Sequence, residues 1–321
     1  MWNILSQFFF IPSAPLTEKN CPDQTGRVFI VTGGYTGVGL ELCKILFAHH
    51  ATVWVAGRSE SKAHKAISSI KNASPQSNGK IEFLHLDLSD LSTIKPAVNS
   101  FTAKQQRLDV LMNNAGIMNP PKGSISTQGH ELQIGTNCLG HYLLYQLLLP
   151  LLTQTAASSP TGTVRVAWAS SITVQVDSSP PGIIVNDDGS PIDQGVSRNY
   201  SQSKVGNVFM AREFAKSTPQ TGVVHVAFNP GNLRTELLRH STGLQSWFLN
   251  TFIVHPAIYG AYTELWTALT PELTPDKSGA YVYPWGRLGS LPAGIETSMS
   301  AESGISADFV GWCDRQTEAF A

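Results

Sequence analysis

The 321-residue chain is poor in the features that mark several protein classes. It has four cysteines, Cys21, Cys43, Cys138 and Cys313, scattered with no Cys-x-x-Cys pair and no metal-ligand spacing. Its nine histidines form no His-x-x-x-His pattern, so no metal centre is expected. Lys and Arg number 22 against 23 acids and form no basic stripe, which argues against a nucleic-acid partner. No apolar run reaches the ~20 residues of a membrane span. The apolar stretch Met1–Ile11 is stopped by Pro12 and has neither the basic flank nor the small-residue cleavage site of a signal peptide. It is expected to pack on the domain or on a partner subunit, with a weak membrane-surface contact as the alternative. Internal repeats and low-complexity linkers are also missing.

What is present begins at Arg27. Val28, Phe29, Ile30 and Val31 are an apolar, β-branched run, as in a strand buried on both faces. Gly33, Gly34, Gly37 and Gly39 follow, and then Leu40, Leu42, Ile45 and Leu46 recur at helical spacing. Strand, glycine turn and helix suit a dinucleotide pyrophosphate. Glycines let the backbone approach the phosphates, and the helix N-terminus presents free N–H groups. The spacing is Thr32-Gly33-x-x-x-Gly37-x-Gly39 rather than Gly-x-Gly-x-x-Gly.

Downstream, further apolar runs predict strands over 52–56, 110–112, 164–169, 223–228 and 280–283, and the partly alternating 81–86 reads as another. Helices are predicted over 59–73, 131–152 (stopped near Pro150), 200–215, 258–269 and 307–320, with Ser89 as the N-cap of the helix after the third strand. His49-His50 reads as a helix end, and Cys43 and Cys138 as buried thiols. Alternating strands and helices predict an α/β fold, a doubly wound parallel sheet with helices on both faces. A lead-in over 1–25 would precede one domain over 26–321. Two stretches break the rhythm, a loop-like 173–198 and an apolar, aromatic 232–256 carrying Trp247 and Phe248. The second is expected to cover a pocket, or else to bury a subunit interface.

Tyr200 and Lys204 stand at i and i+4, on one helix face. A free phenol has a pKa near ~10, and a neighbouring ammonium is expected to lower it for proton transfer. Ser170-Ser171 closes the fifth strand, at the end where such sheets bind ligands. Asn137 is an awkward mid-helix residue, which points to a side chain recruited for hydrogen bonding, or to one facing solvent. After the second strand no acid follows until Glu60, and Arg58 suits a 2′-phosphate, which favours NADP(H) over NAD.

Together these features resemble the short-chain dehydrogenase/reductase family from about Val28 to Phe320. The nearest likeness is to its retinol-dehydrogenase-like and fungal members, through Tyr-Ser-Gln-Ser-Lys, the late Tyr-Pro-Trp-Gly-Arg (283–287) and the long Ser171–Tyr200 interval. The resemblance implies a Rossmann-type fold and hydride transfer between NADP(H) and a carbonyl or alcohol carbon. It assigns Asn137, Ser171, Tyr200 and Lys204 to catalysis. For the cofactor it implies Thr32, Gly33, Thr36, Gly37, Val38 and Gly39, then Arg58, Asp87 and Leu88, the Asn114-Ala115-Gly116 segment, and Pro230, Gly231 and Thr235 near the nicotinamide amide, with Tyr200 and Lys204 also in contact. Trp168 departs from the family, which often has Asn there. Other readings on the same scaffold are a catalytically silent NADP(H) sensor and an epimerase or dehydratase. A bulky apolar small-molecule substrate, no nucleic acid, a monomer or homodimer and a cytoplasmic location complete the expectation. The last draws on Asn199-Tyr200-Ser201, a glycan acceptor that would obstruct the site if used.

Overall fold

The structure, a computed structural model, describes residues 2–8, 11–178, 180–233, 254–300 and 304–321. In its first half, α1 (Trp2–Phe8) precedes β1 (Val28–Thr32), α2 (Gly37–Ala48), β2 (Thr52–Gly57), α3 (Glu60–Ala73), β3 (Lys80–His85), α4 (Ile94–Thr102) and β4 (Val110–Asn113). The second half runs α5 (Gly140–Ala157), β5 (Arg165–Ala169), α6 (Thr173–Val176), α7 (Val196–Ser217), β6 (Val224–Phe228), α8 (Ala257–Leu269), β7 (Ala280–Tyr283), β8 (Arg287–Gly289), α9 (Ala293–Ser300) and α10 (Ile305–Thr317).

The strands form one sheet in the order β3-β2-β1-β4-β5-β6-β7-β8. All neighbours are parallel except β7 and β8. Successive β1 side chains serve opposite cores. Val28 and Ile30 pack with α4, α5, α7 and α10, and Phe29 and Val31 pack with α2, α3 and α8. Burial on both faces is why the central strands β1, β4, β5 and β6 read as near-continuous apolar runs, while the edge strand β3 is exposed at its ends and alternates in part. The order reverses beside β1, and the carboxyl ends of β1, β4 and β5 at that point are where open α/β sheets place ligands.

Several local expectations are corrected. Asp90, not Ser89, caps the turn entering α4, accepting from Ser92 N at 3.1 Å. The Ser89 hydroxyl instead donates to Asp87 Oδ1 at 2.6 Å. Pro150 lies inside α5, which continues to Ala157 because Leu148, Leu151 and Leu152 are buried around it and outweigh one lost backbone bond. The Tyr200 helix starts a turn earlier, at Val196. The 173–198 stretch contains α6 and a bridge between Val185 and Pro191, and Gln202 of α7 pins it, accepting from Ile184 N and donating to Ile192 O at 3.0 Å each. The elements α1, β8 and α9 were not foreseen. The lead-in packs on the sheet domain through buried Cys21 and Gln24, and Tyr262 of α8 donates to Glu18 at 2.6 Å. All four cysteines are buried free thiols. Among the described residues no helix is long and apolar enough to cross a membrane. Thr235, Trp247, Phe248 and most of the 232–256 stretch lie outside the described residues.

Candidate active site

The glycine turn is stapled to the end of β4. Thr32, buried at the end of β1, accepts from Ala115 N at 2.9 Å, and its carbonyl accepts from Asn114 Nδ2 at 2.8 Å. Gly33 and Gly37 take φ of +68° and +55°, where L side chains are strained. Gly39 is required by contact, since a Cβ there would lie 2.6 Å from Asn114 Nδ2. The turn delivers Thr36 as N-cap of α2 with no side-chain cap bond, so the first-turn N–H groups around Val38 are left for another acceptor. Arg58, exposed just past β2, makes no ion pair among the described residues. Past β3, Asp87 is engaged by Ser89, and Leu88 is buried with its carbonyl against Gly140.

Asn137 owes its place to an irregular helix. Residues Gly135–Leu139 form a π turn just before α5, a feature frequent at functional sites. The turn aims the fully buried Asn137 amide at Ile117, whose N–H it accepts at 2.9 Å and whose carbonyl it donates to at 3.1 Å. Its Nδ2 also donates to Ser203 Oγ at 2.9 Å. A Cβ on Gly116 would sit 3.2 Å from Lys204 Nζ and 3.3 Å from Asn137 Oδ1, so Gly116 keeps the space between them.

Tyr200 and Lys204 project from α7, with Lys204 Nζ 5.7 Å from the centre of the Tyr200 ring. Lys204 Nζ donates to Ala169 O at 3.0 Å, and Asn207 Nδ2 reaches the same carbonyl at 2.8 Å. The two adjacent serines divide their roles. Ser170 Oγ donates to the Lys204 carbonyl at 3.0 Å, tying β5 to α7, while the Ser171 hydroxyl interacts with the Tyr200 phenol. Tyr281 of β7, buried beside them, donates to Ser171 O at 3.2 Å.

Burial decides the electrostatics. It pushes the Tyr200 phenol up to about 12, against a smaller lowering by Ser171. The lowered phenol expected from Lys204 is therefore not what this site shows. Desolvation wins because the ring is buried and the ammonium touches carbonyl oxygen rather than the phenol oxygen. The same burial pushes Lys204 down to about 8. His141, 3.0 Å from Thr32 Oγ1, is pushed down to about 4 by burial and is neutral at neutral pH.

The short chain dehydrogenase model matches residues 27–175. A short-chain dehydrogenase/reductase of Phomopsis amygdali is 42% identical over 99% of this chain and 97% of its own. The chain belongs to the short-chain dehydrogenase/reductase family. Another such protein, from Pestalotiopsis fici, is 37% identical over 97% of this chain and 96% of its own. Among solved structures, an uncharacterized protein of Mycobacterium paratuberculosis aligns with TM-score 0.65 at 25% identity, over 94% of this chain and 97% of that one. The RhlG/NADP active-site complex of Pseudomonas aeruginosa aligns with TM-score 0.63 at 22% identity, over 81% of this chain and 94% of that one, and shows the shared fold.

The structure brings Asn137, Ser171, Tyr200 and Lys204 of this short-chain dehydrogenase/reductase together, with Gly116 between Lys204 and Asn137 and with Asn114 and Ala115 bonded to the end of β1 at the glycine turn. Pro230 and Gly231 follow β6 next to the Ser170-Ser171 end of β5. Trp168, the departure in β5, is fully buried and packs 5.7 Å from both Tyr145 and Phe214. Sequence reasoning missed Asn207 and Tyr281, which hold the ends of β5. Asn207 carried a faint signal, a polar residue one turn after Lys204 on the helix side that meets the sheet. Tyr281 carried none, because β6 lies between β7 and β5 and its hydroxyl reaches Ser171 only in the tertiary fold.

Proposed function

We propose that this protein is an NADP(H)-dependent oxidoreductase acting on CH–OH/C=O groups, with Tyr200 as the proton-transfer residue. The observation that carries the reading is the placement of Tyr200 and Lys204 on α7 against the end of β5, with Lys204 held on the Ala169 carbonyl and Asn137 beside it across Gly116. The residues present fit a dinucleotide. A Cβ on Gly39 would push the Asn114 amide off the Thr32 carbonyl, and α2 begins with uncapped N–H groups suited to phosphate. Arg58 is exposed where a 2′-phosphate would lie, and Asp87 and Leu88 would border adenine. Pro230, Gly231 and Thr235 would border the nicotinamide, and Lys204 the ribose.

When bound, the nicotinamide supplies or takes the hydride. Ser171 and Tyr200 hold the substrate oxygen. In the reductive direction Tyr200 donates its phenolic proton to that oxygen as negative charge develops on it. The raised phenol keeps the proton on Tyr200 at neutral pH, as a general acid requires. Asn137 would orient water between Lys204 and solvent to return the proton. Residues 26–321 act as one catalytic domain, and the apolar 232–256 stretch suits a bulky apolar substrate. We place the protein in the cytoplasm, as a monomer or homodimer. Asn199 supports that location: it is buried and its Nδ2 donates to Asp193 at 2.8 Å, so a glycan there is incompatible with this fold.

The test is NADPH and NADH binding, followed by NADPH oxidation with a panel of ketones, aldehydes and aromatic carbonyls. Carbonyl-dependent oxidation abolished in Tyr200→Phe supports the reading. Tight NADPH binding with no turnover across the panel would favour a sensor.

A further inference from the structure

Neither α1 nor the Tyr283–Arg287 motif has a part in the chemistry above, yet they meet each other beside it. Gln7 of α1 is fully buried, and its Oε1 accepts from Asn229 Nδ2 at 2.9 Å. Asn229, the residue after β6, turns its Oδ1 to Gly231 N at 3.0 Å. Gly231 has φ of +99°, and a Cβ there would lie 2.5 Å from the Trp285 ring, so Trp285 lies directly against the turn. Arg287 closes the circuit, donating from Nε to Pro284 O at 2.8 Å and from Nη2 to Ser6 O at 2.9 Å. Arg287 makes no ion pair among the described residues. Its donors reach carbonyls of the 284–287 turn and of α1.

We infer that α1 is a working wall of the cofactor site, and that Gln7 and Arg287 are positioning residues for the nicotinamide half of the dinucleotide. The inference rests on the reading above, in which Pro230-Gly231 borders the nicotinamide. Glycine has the widest backbone freedom and loses the most conformational entropy when held in one conformation. Here its amide is fixed by Asn229, Asn229 by Gln7, and α1 by Arg287. Holding the turn in advance lowers the ordering cost when the ring docks. The adenosine half, across the sheet at β2 and β3, is untouched by this circuit.

Gln7→Leu keeps the bulk but removes the acceptor for Asn229, and Arg287→Ala removes the clasp, with Arg287→Lys as the conservative variant. Each is compared with wild type for binding of NADPH and of an adenosine bisphosphate carrying the 2′-phosphate but no nicotinamide. Loss of one such hydrogen bond is expected to weaken NADPH about three- to tenfold. The bisphosphate should bind unchanged, and Arg287→Lys should recover part of the loss. Equal weakening of both ligands, or unchanged NADPH binding, would overturn the inference. If a variant does not fold, amide exchange on the wild type decides. NADPH should slow exchange at residues 4–8 and 229–231 together, and the bisphosphate should not; equal effects would overturn it. A wild-type protein that binds the bisphosphate and NADPH but shows none of this loses only the inference. One that binds neither loses the proposed function as well.

Discussion

Lys204→Met should make the protein more stable at neutral pH while disabling it. Lys204 is 4% exposed, no carboxylate pairs with it among the described residues, and its Nζ donates to Ala169 O. Burial moves its pKa from 10.5 to about 8. That difference of about 2.5 units, at ~1.36 kcal/mol each, is a cost of roughly 3 kcal/mol for keeping the buried group charged. Below pH 8 both folded and unfolded states hold the proton, so the full cost is present. Between about 8 and 10.5 the folded state releases its proton first, the unfolded state binds more protons, and wild-type stability rises with pH. Methionine has similar length and no charge. The Ala169 carbonyl stays satisfied by Asn207 at 2.8 Å, so little is lost on its side. We expect a net gain of about 1–3 kcal/mol at pH 7. With ~2.1 cal/mol/K of unfolding entropy per residue over 321 residues, that raises Tm by roughly 1.5–4 °C. Thermal unfolding of both proteins at pH 7 and pH 10 measures it, and the gap should shrink at the higher pH. Turnover should fall by at least about a hundredfold. A variant that melts below wild type at pH 7, or a gap independent of pH, would refute the reasoning.

The other expectations are more direct. Tyr200→Phe keeps the buried ring and loses the hydroxyl that meets Ser171, so kcat should drop by about 10²–10⁴ with NADPH affinity little changed; near-normal turnover would end the proposed mechanism. For wild-type carbonyl reduction, kcat/KM should decline as pH rises through about 8, where free-enzyme Lys204 loses its proton, and a profile flat to pH 10 would contradict this. Arg58→Ala should weaken NADPH by about ten- to a hundredfold, the worth of a hydrogen bond to a charged group, and leave NADH nearly unaffected; equal losses would make Arg58 structural. Gly39→Ala would place its Cβ 2.6 Å from Asn114 Nδ2 and break the bond to the Thr32 carbonyl, so dinucleotide binding measured by titration should be lost before the fold is.

The central sheet was legible because β1, β4, β5 and β6 are buried on both faces and announce themselves as apolar runs. The glycine turn was legible because close approach and positive φ leave little choice of residue at Gly33, Gly37 and Gly39. Tyr200 and Lys204 were legible because helical spacing by itself puts them on one face. Which serine faces the phenol was not, since Ser170 and Ser171 are equivalent in sequence and only the packing of α7 on β5 separates them. The direction of the Tyr200 shift also escaped the sequence. It shows a charged neighbour but not the burial that outweighs it. Asp90 over Ser89, and helix through Pro150, turned on side chains meeting distant partners. The sequence by itself determined the alternation of elements, the glycine turn and the spacing of Tyr200 and Lys204 on one helix. Only the tertiary structure decided how α1, the turn after β6 and the 283–287 turn come together, because Gln7, Asn229 and Arg287 are far apart along the chain and meet only once the sheet has formed.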